Sequence, residues 1–199
     1  MDRRDSAGVA AEKAHLRERF RAARLALPAG VRARASERAC ARALALPELA
    51  RLGEGDVVAL YWPLVARGEL DARPLATALL GRGVGVALPV TGPGGRMTMA
   101  RWRGEPLAAG RWGLSEPGPD AARVAPDGLA AVVLPGLAFG RDGSRLGWGA
   151  GFYDRYLARA PAFRLGLGFA ATLVAALPRA AHDLPADAVV TERETVRPS

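Results

Sequence analysis

The sequence predicts an α/β fold: a three-layer, Rossmann-like domain in which a mostly parallel, mixed sheet carries helices on both faces. Three observations predict it. Short continuous apolar runs such as DVVALY, VGVALPV and LAAVVLP recur along the chain and read as buried strands. Segments of helical periodicity separate several of them, the alternation that gives parallel sheets. The 199 residues carry no internal repeat, low-complexity tract or linker, so residues 1–199 are expected to form a single domain. A chain of that length buries roughly 70% of its unfolded surface.

The first element is an amphipathic helix from Glu12 to Leu27, with Leu16, Phe20, Ala23 and Leu27 on its apolar side. Lys13, Arg17, Arg21 and Arg24 form a neighbouring stripe, and for Arg21 and Arg24 the expectation is a solvated basic face. A second helix is expected from about Val31 to Leu46, ended by Pro47. Asp56–Tyr61 is the first strand. ELDARPLATALLGRG follows as a helix closed by Gly81 and Gly83, and Val84–Val90 as a second strand. TGPGG is a turn, and Arg96–Trp102 alternates as a half-exposed strand should. Residues 104–128 read as Pro/Gly-rich loop. Leu129–Phe139 is a further buried strand, GAGFYDRYLARA a loop then a helix, and RLGLGFA and DAVVTE the last strands. His182 and Asp183 lie between these two.

Composition narrows the function classes. Half the residues are apolar and 24% charged, an ordinary globular balance. The N-terminal segment is broken by charges, and no run approaches the ~18 apolar residues of a membrane span. A lone cysteine, Cys40, among alanines in a helical segment reads as a buried thiol. The expected location is cytoplasmic. The net charge of +8 is the footprint of a nucleic-acid binder. However, the chain has no Ile, Asn or Gln, and arginine replaces lysine at every basic position but one. That is a coding bias, and no basic aromatic patch for base stacking accompanies it. No nucleic-acid partner and no membrane partner are therefore expected. Lys13, the one lysine, marks a place where a compact point charge serves and a guanidinium fork does not, unless chance retained it.

RLGWGAGFYDRYL, from Arg145 to Leu157, is the segment with chemistry in it. Gly147, Gly149 and Gly151 allow a tight turn and a close approach of backbone to a ligand. Amides at the start of the following helix suit a phosphate, and Arg145 adds a bidentate donor. The spacing is neither the dinucleotide fingerprint nor a Walker A loop. A purely architectural turn explains the glycines equally well, and an acid such as Asp154 in a first helical turn also complements the helix dipole. With phosphates present, Asp154 could hold Mg²⁺.

LPGLAFGRDGSRLGWGAGFYDRYL resembles the signature of the 5-formyltetrahydrofolate cyclo-ligase family, also called methenyltetrahydrofolate synthetases. KAHLR, VVALYWP, GELD, GLSEP and HDLPADAVVTE resemble further family segments in the same order. Gly140 stands where many members carry Asp, and the segment from Tyr61 to Glu69 is slightly longer than in most relatives. The resemblance implies an enzyme that consumes ATP with Mg²⁺ and converts 5-formyltetrahydrofolate to 5,10-methenyltetrahydrofolate. It implies Lys13 and Arg17 on the ATP phosphates, with Arg145, Leu146, Gly147, Trp148, Gly149, Ala150, Gly151, Phe152 and Tyr153 wrapped around the nucleotide. Arg145 and Tyr153 would be catalytic, and Asp154 and Asp183 metal-binding. Tyr61, Trp62, Glu69, Trp148 and Phe152 would contact the folate. Read without the family, Glu69 is a surface residue at a helix start, Asp183 a plain loop acid, and Tyr61, Trp62 and Trp148 ordinary packed aromatics. A folate- or nucleotide-binding protein without turnover is the alternative on the same scaffold.

Overall fold

The computed structural model describes residues 3–198; Met1 and Asp2, which begin the charge-broken N-terminal segment, lie outside the described residues. Two long helices come first, α1 (Arg3–Ala26) and α2 (Ala29–Leu44), then the short α3 (Pro47–Ala50) and strand β1 (Val57–Ala59). Next are α4 (Arg73–Gly81), β2 (Gly85–Thr91), β3 (Met97–Trp102), β4 (Ala108–Ala109), β5 (Ser115–Glu116) and β6 (Arg123–Val124). The remainder is β7 (Ala131–Leu134), β8 (Ala138–Gly140), β9 (Arg145–Leu146), α5 (Phe152–Leu157), β10 (Phe163–Leu167), β11 (Leu173–Val174), β12 (Ala188–Val190) and β13 (Thr195–Val196).

The main sheet has eight strands in the order β13-β12-β10-β7-β1-β2-β3-β6. Its middle five, from β12 to β2, are mutually parallel, while β3, β6 and β13 are antiparallel additions at the edges. The expected α/β class and mixed, mostly parallel sheet are what the chain forms. Parallel strands buried on both faces read as unbroken apolar runs. Alternate residues serve opposite cores. Val58, Leu60, Ala131, Val133 and Leu165 meet α2, α3 and α4 on one face. Val57, Ala59, Val132 and Leu134 meet Tyr156 and Leu157 of α5 on the other. A register slip of one residue would exchange the two sets, so the pairing Val58↔Val86 and Val58↔Ala131 is fixed by both cores.

Several boundaries differ from expectation. Helix α1 extends back to Arg3 rather than starting at Glu12. Pro47 does not merely stop a helix; it sits at the start of the next, α3, where a missing N–H costs nothing. Glu69 lies outside a helix, because α4 begins at Arg73. The run Leu129–Phe139 is two strands, broken at Pro135–Gly136, and β8 joins a separate three-stranded sheet, β11-β8-β9. The Pro/Gly-rich stretch contributes β6 to the main sheet and the β4–β5 pair.

That small sheet is what positions the glycine segment. Its anchor is Phe139, whose ring packs against Gly136, Gly166 and Gly168; a Cβ on any of them would come within 2.7, 2.6 or 2.8 Å of the ring. Helix α1 closes the outside of this sheet through Leu16 and Phe20 packed on Leu137, Leu146 and Leu177. Arg24 is the main correction to the expected solvated stripe. It is only 2% exposed, whereas Arg21 keeps a side chain 40% exposed and an ion pair with Glu18. The Cys40 thiol is buried, as expected, and donates to Asp71 O. No helix among the described residues is long and apolar enough to cross a membrane.

Candidate active site

In a parallel sheet all carboxyl ends lie at one edge, and ligands collect there. A cavity of about 1210 Å³ opens at that edge of this sheet. Tyr61 and Trp62 beyond β1, Pro89 and Thr91 of β2 and Pro135 beyond β7 form its floor. Lys13 and Arg17 reach it from α1, and the whole run from Arg145 to Asp154 forms one wall. Glu69 and Asp183 also line it. The structure thus brings every site residue expected from the sequence into one cavity.

Arg145 sits in β9, paired in the backbone to Phe139, so the anchored ring fixes where its side chain starts. Its Nη2 donates to Asp154 Oδ1 at 2.7 Å and its Nη1 to Pro135 O at 3.3 Å. Gly151, left-handed at φ 64°, precedes α5, and that reversal lets Phe152 and Asp154 face the cavity from the first helical turn. Arg17 Nε donates to Gly147 O at 3.0 Å, docking α1 directly on the turn. Lys13 Nζ forms an ion pair with Asp183. Burial alone would raise the Asp183 carboxyl, but the Lys13 ammonium and the Ala180 amide together hold it below the usual carboxylate range.

Glu69 is buried, 8% exposed, and not the surface residue its sequence position implied. The residues before it make a 3₁₀ turn (Val65–Arg67), and left-handed Gly68 (φ 71°) reverses the chain, so the longer loop folds back on itself. Glu69 Oε2 accepts from Leu64 N at 2.8 Å and Oε1 from the Trp148 indole N–H at 2.7 Å. Trp148 is ringed by guanidinium groups, with the carbons of Arg21, Arg24 and Arg67 at 5.4, 5.7 and 5.9 Å from its ring. These distances are within cation–π range. Tyr61 Oη donates to Leu70 O at 2.9 Å, and Trp62 makes an edge contact with Trp102, centroids 5.1 Å apart.

Tyr153 is different. Its hydroxyl is buried and has no hydrogen-bond partner among the described residues, and the Arg145 guanidinium carbon lies 5.7 Å from its ring. Burial, with the Glu69 charge in support, pushes its phenol well above the ordinary range, so it stays protonated and can donate. Beside Gly140, Asp142 turns its carboxylate onto Ser144. Its Oδ1 accepts from Ser144 N at 3.0 Å and Oγ at 2.5 Å. A Cβ at Gly140 would fall 2.2 Å from that same oxygen.

Glu69, Asp154 and Asp183 are the carboxylates lining the cavity; among the described residues no cluster of three or more His, Cys, Asp or Glu gathers. A site for Mg²⁺ would draw on Asp154 and Asp183, since Mg²⁺ takes one or two carboxylates and fills its remaining positions with phosphate oxygens and water. Thr91, Leu114, Ser115 and Arg67 also line the cavity, beyond the residues expected from the sequence. The signal was present in GLSEP, since Glu116 Oε1 accepts from both Thr91 N and Oγ1, at 3.1 and 2.6 Å, and holds that loop over β2.

The sequence profile of the 5-formyltetrahydrofolate cyclo-ligase family matches residues 9–192. The chain is 36% identical over 131 residues to the 5-formyltetrahydrofolate cyclo-ligase of Escherichia coli K12, a match covering 62% of this chain and 72% of that protein. A match to the mouse enzyme of the same name is 34% identical but spans only 41% of this chain and 44% of the mouse protein. Among solved structures, the NMR structure of Aquifex aeolicus 5,10-methenyltetrahydrofolate synthetase superposes with a TM-score of 0.81 at 33% identity, covering 93% of this chain and 92% of that one. A synthetase of the same name from Mycoplasma pneumoniae, at 17% identity, covers 92% of this chain and 99% of its own with a TM-score of 0.73, and so shares the fold. The chain belongs to the 5-formyltetrahydrofolate cyclo-ligase family.

Proposed function

We propose that this protein cyclises 5-formyltetrahydrofolate to 5,10-methenyltetrahydrofolate, consuming ATP with Mg²⁺ and releasing ADP and phosphate. One observation carries the reading. A single cavity is lined by Lys13, Arg17, Arg145 and the glycine turn together with Glu69, Tyr61 and Trp62. Its volume of about 1210 Å³ exceeds the roughly 300–1,000 Å³ of an ordinary one-ligand pocket and suits two substrates side by side.

A formamide oxygen is a poor leaving group. Its attack on the γ-phosphorus of ATP expels ADP and turns it into phosphate, a good one. The folate N10 then attacks the formyl carbon, loses its proton, and phosphate departs to leave the methenyl bridge. Phosphoryl transfer of this kind asks for positioning and charge neutralisation more than for a protein nucleophile.

Each residue has a task in that scheme. Lys13 and Arg17 neutralise phosphate oxygens from α1, and the amides from Leu146 to Phe152, with Gly147, Trp148, Gly149, Ala150 and Gly151 between, lie along the chain of phosphates. Arg145 exchanges its bond to Asp154 for the transferring phosphoryl group. Asp154 and Asp183 are then available to Mg²⁺, which would supply further charge neutralisation. The unpartnered Tyr153 hydroxyl donates to an oxygen carrying new negative charge. Glu69 has lone pairs left to accept the pterin amide and amine, while Tyr61, Trp62 and Phe152 wall the ring.

The test is direct. Purified protein, ATP, Mg²⁺ and 5-formyltetrahydrofolate are mixed, and the near-ultraviolet band of the methenyl product is followed beside ADP release. Equimolar product and ADP are expected. Tight folate or nucleotide binding with no product would overturn the catalytic reading and leave a binding protein.

A further inference from the structure

Arg24 is more deeply buried than any other charged side chain among the described residues, and the reaction above gives it no task. Removing a guanidinium from water costs several kcal/mol unless its donors are well matched. Here they are matched by backbone carbonyls adjoining the cavity-lining residues Glu69 and Pro135. Nε donates to Gly68 O at 2.8 Å and Nη1 to Gly136 O at 3.1 Å. The Arg24 guanidinium carbon lies 5.7 Å from the Trp148 ring. Burial pulls the Arg24 pKa down, and the nearby Glu69 charge works against that pull.

The three contacts come from three different segments. Gly68 immediately precedes Glu69. Gly136 follows Pro135, whose carbonyl accepts from Arg145. Trp148 belongs to the glycine turn and donates to Glu69. One planar fork therefore ties the folate-facing loop, the strand-end loop and the glycine turn to α1. An ammonium, with its donors on one rotatable nitrogen, cannot reproduce two divergent bonds and a stacked face together.

We propose that Arg24 is a positioning residue for the reduced-folate half of the cavity, fixing Glu69 and the Trp148 indole relative to each other without touching substrate. This rests on the function proposed above.

The experiment compares the full-length protein with Arg24→Lys, Arg24→Met, Trp148→Phe and the Arg24→Lys/Trp148→Phe double variant. Michaelis constants for 5-formyltetrahydrofolate and for ATP are measured separately, with melting temperature and ligand-free indole emission. For Arg24→Lys the folate KM rises about tenfold, the loss of one bond to a charged group, while the ATP KM stays within about twofold. Adding Trp148→Phe costs little more, because both changes act through the same contact. Ligand-free emission shifts in Arg24→Lys and not when the same change is made in the Trp148→Phe background. Equal rises in both KM values, additive effects in the double variant, or unfolding of both Arg24 variants would overturn the proposal by making Arg24 a general core residue. If the wild-type protein forms no product, the functional reading falls, and the emission comparison alone decides whether Arg24 positions Trp148.

Discussion

Arg145 donates to Asp154 Oδ1 at 2.7 Å across the glycine turn, so this cavity cation and its carboxylate partner neutralise each other. Lys13 and Asp183, brought together from opposite ends of the chain, do the same. Each pair leaves little net charge on its own residues, and under the proposed function an arriving triphosphate with its metal ion would substitute for both carboxylates at the cations and for both cations at the carboxylates. Such an exchange avoids leaving any buried charge alone at an intermediate stage, the costly case for ion pairs shielded from water.

Asp154→Asn tests the carboxylate side of that exchange. The amide keeps the shape and can still accept from Arg145, but it is a poor ligand for Mg²⁺. Turnover is expected to fall by about 10- to 100-fold, the worth of one charge-assisted interaction of roughly 1.5–3 kcal/mol. The Mg²⁺ concentration giving half-maximal rate should rise as well. Wild-type turnover with an unchanged Mg²⁺ response would remove Asp154 from the metal assignment.

Lys13→Met and Lys13→Arg separate charge from shape. Methionine removes the ammonium, and the ATP KM should rise about 10- to 100-fold by the same reckoning. Arginine restores charge but not a compact donor, so its KM should fall between the two. The folate KM should move less than about twofold in both, since Lys13 lies on the phosphate side by this reading. Initial rates with each substrate varied in turn decide it, and an arginine variant equal to wild type would mean that only charge matters at this position.

The two basic residues at either end of the helical stripe show what a sequence can carry. Lys13 was legible because its identity broke the composition of the whole chain: one lysine against 27 arginines, out of 28 basic residues in all. Arg24 was not legible. Periodicity gave it the same face as Arg17, but which residues cover the end of that face depends on Gly68 and Gly136, which are 44 and 112 positions away. The central strands were equally plain as apolar runs, whereas the break at Pro135–Gly136 was hidden inside one. Both halves of LAAVVLPGLAF are apolar enough to be buried, and the second half joins β9 and β11 in its own sheet, with Phe139 packed on three glycines.

Trp148→Phe keeps an aromatic ring among the guanidinium groups and removes only the indole N–H that Glu69 Oε1 accepts. Glu69 is left with the Leu64 amide and a freer side chain. The folate KM is expected to rise about tenfold for a lost bond to a charged acceptor, and melting temperature should change little, because the ring packing survives. A fall in kcat at constant folate KM would show instead that Trp148 contributes in the transition state alone.

Cys40 makes a prediction about stability rather than turnover. Burial pushes its thiol from an ordinary 9.0 up to about 12, and the thiol donates to Asp71 O at 3.3 Å. Its stabilising share is complete below the unfolded pKa. Between 9.0 and about 12 the unfolded chain has released the proton and the folded chain has not, so stability falls as pH rises. The slope approaches about 1.4 kcal/mol per pH unit for one proton. Burial also raises Tyr61, Tyr153 and Tyr156, so the alkaline decline of the wild-type protein contains all four groups. Cys40→Ala removes one of them. Urea unfolding followed from about pH 8.5 to 10.5 should therefore give a shallower decline for the variant, by up to one proton's worth. The native thiol should also resist alkylating reagents until urea exposes it, since a neutral buried thiol is a poor nucleophile. Parallel declines for the two proteins, or rapid alkylation of the folded one, would mean that the Cys40 proton is exchanged freely in the native state and that α2 opens next to Asp71.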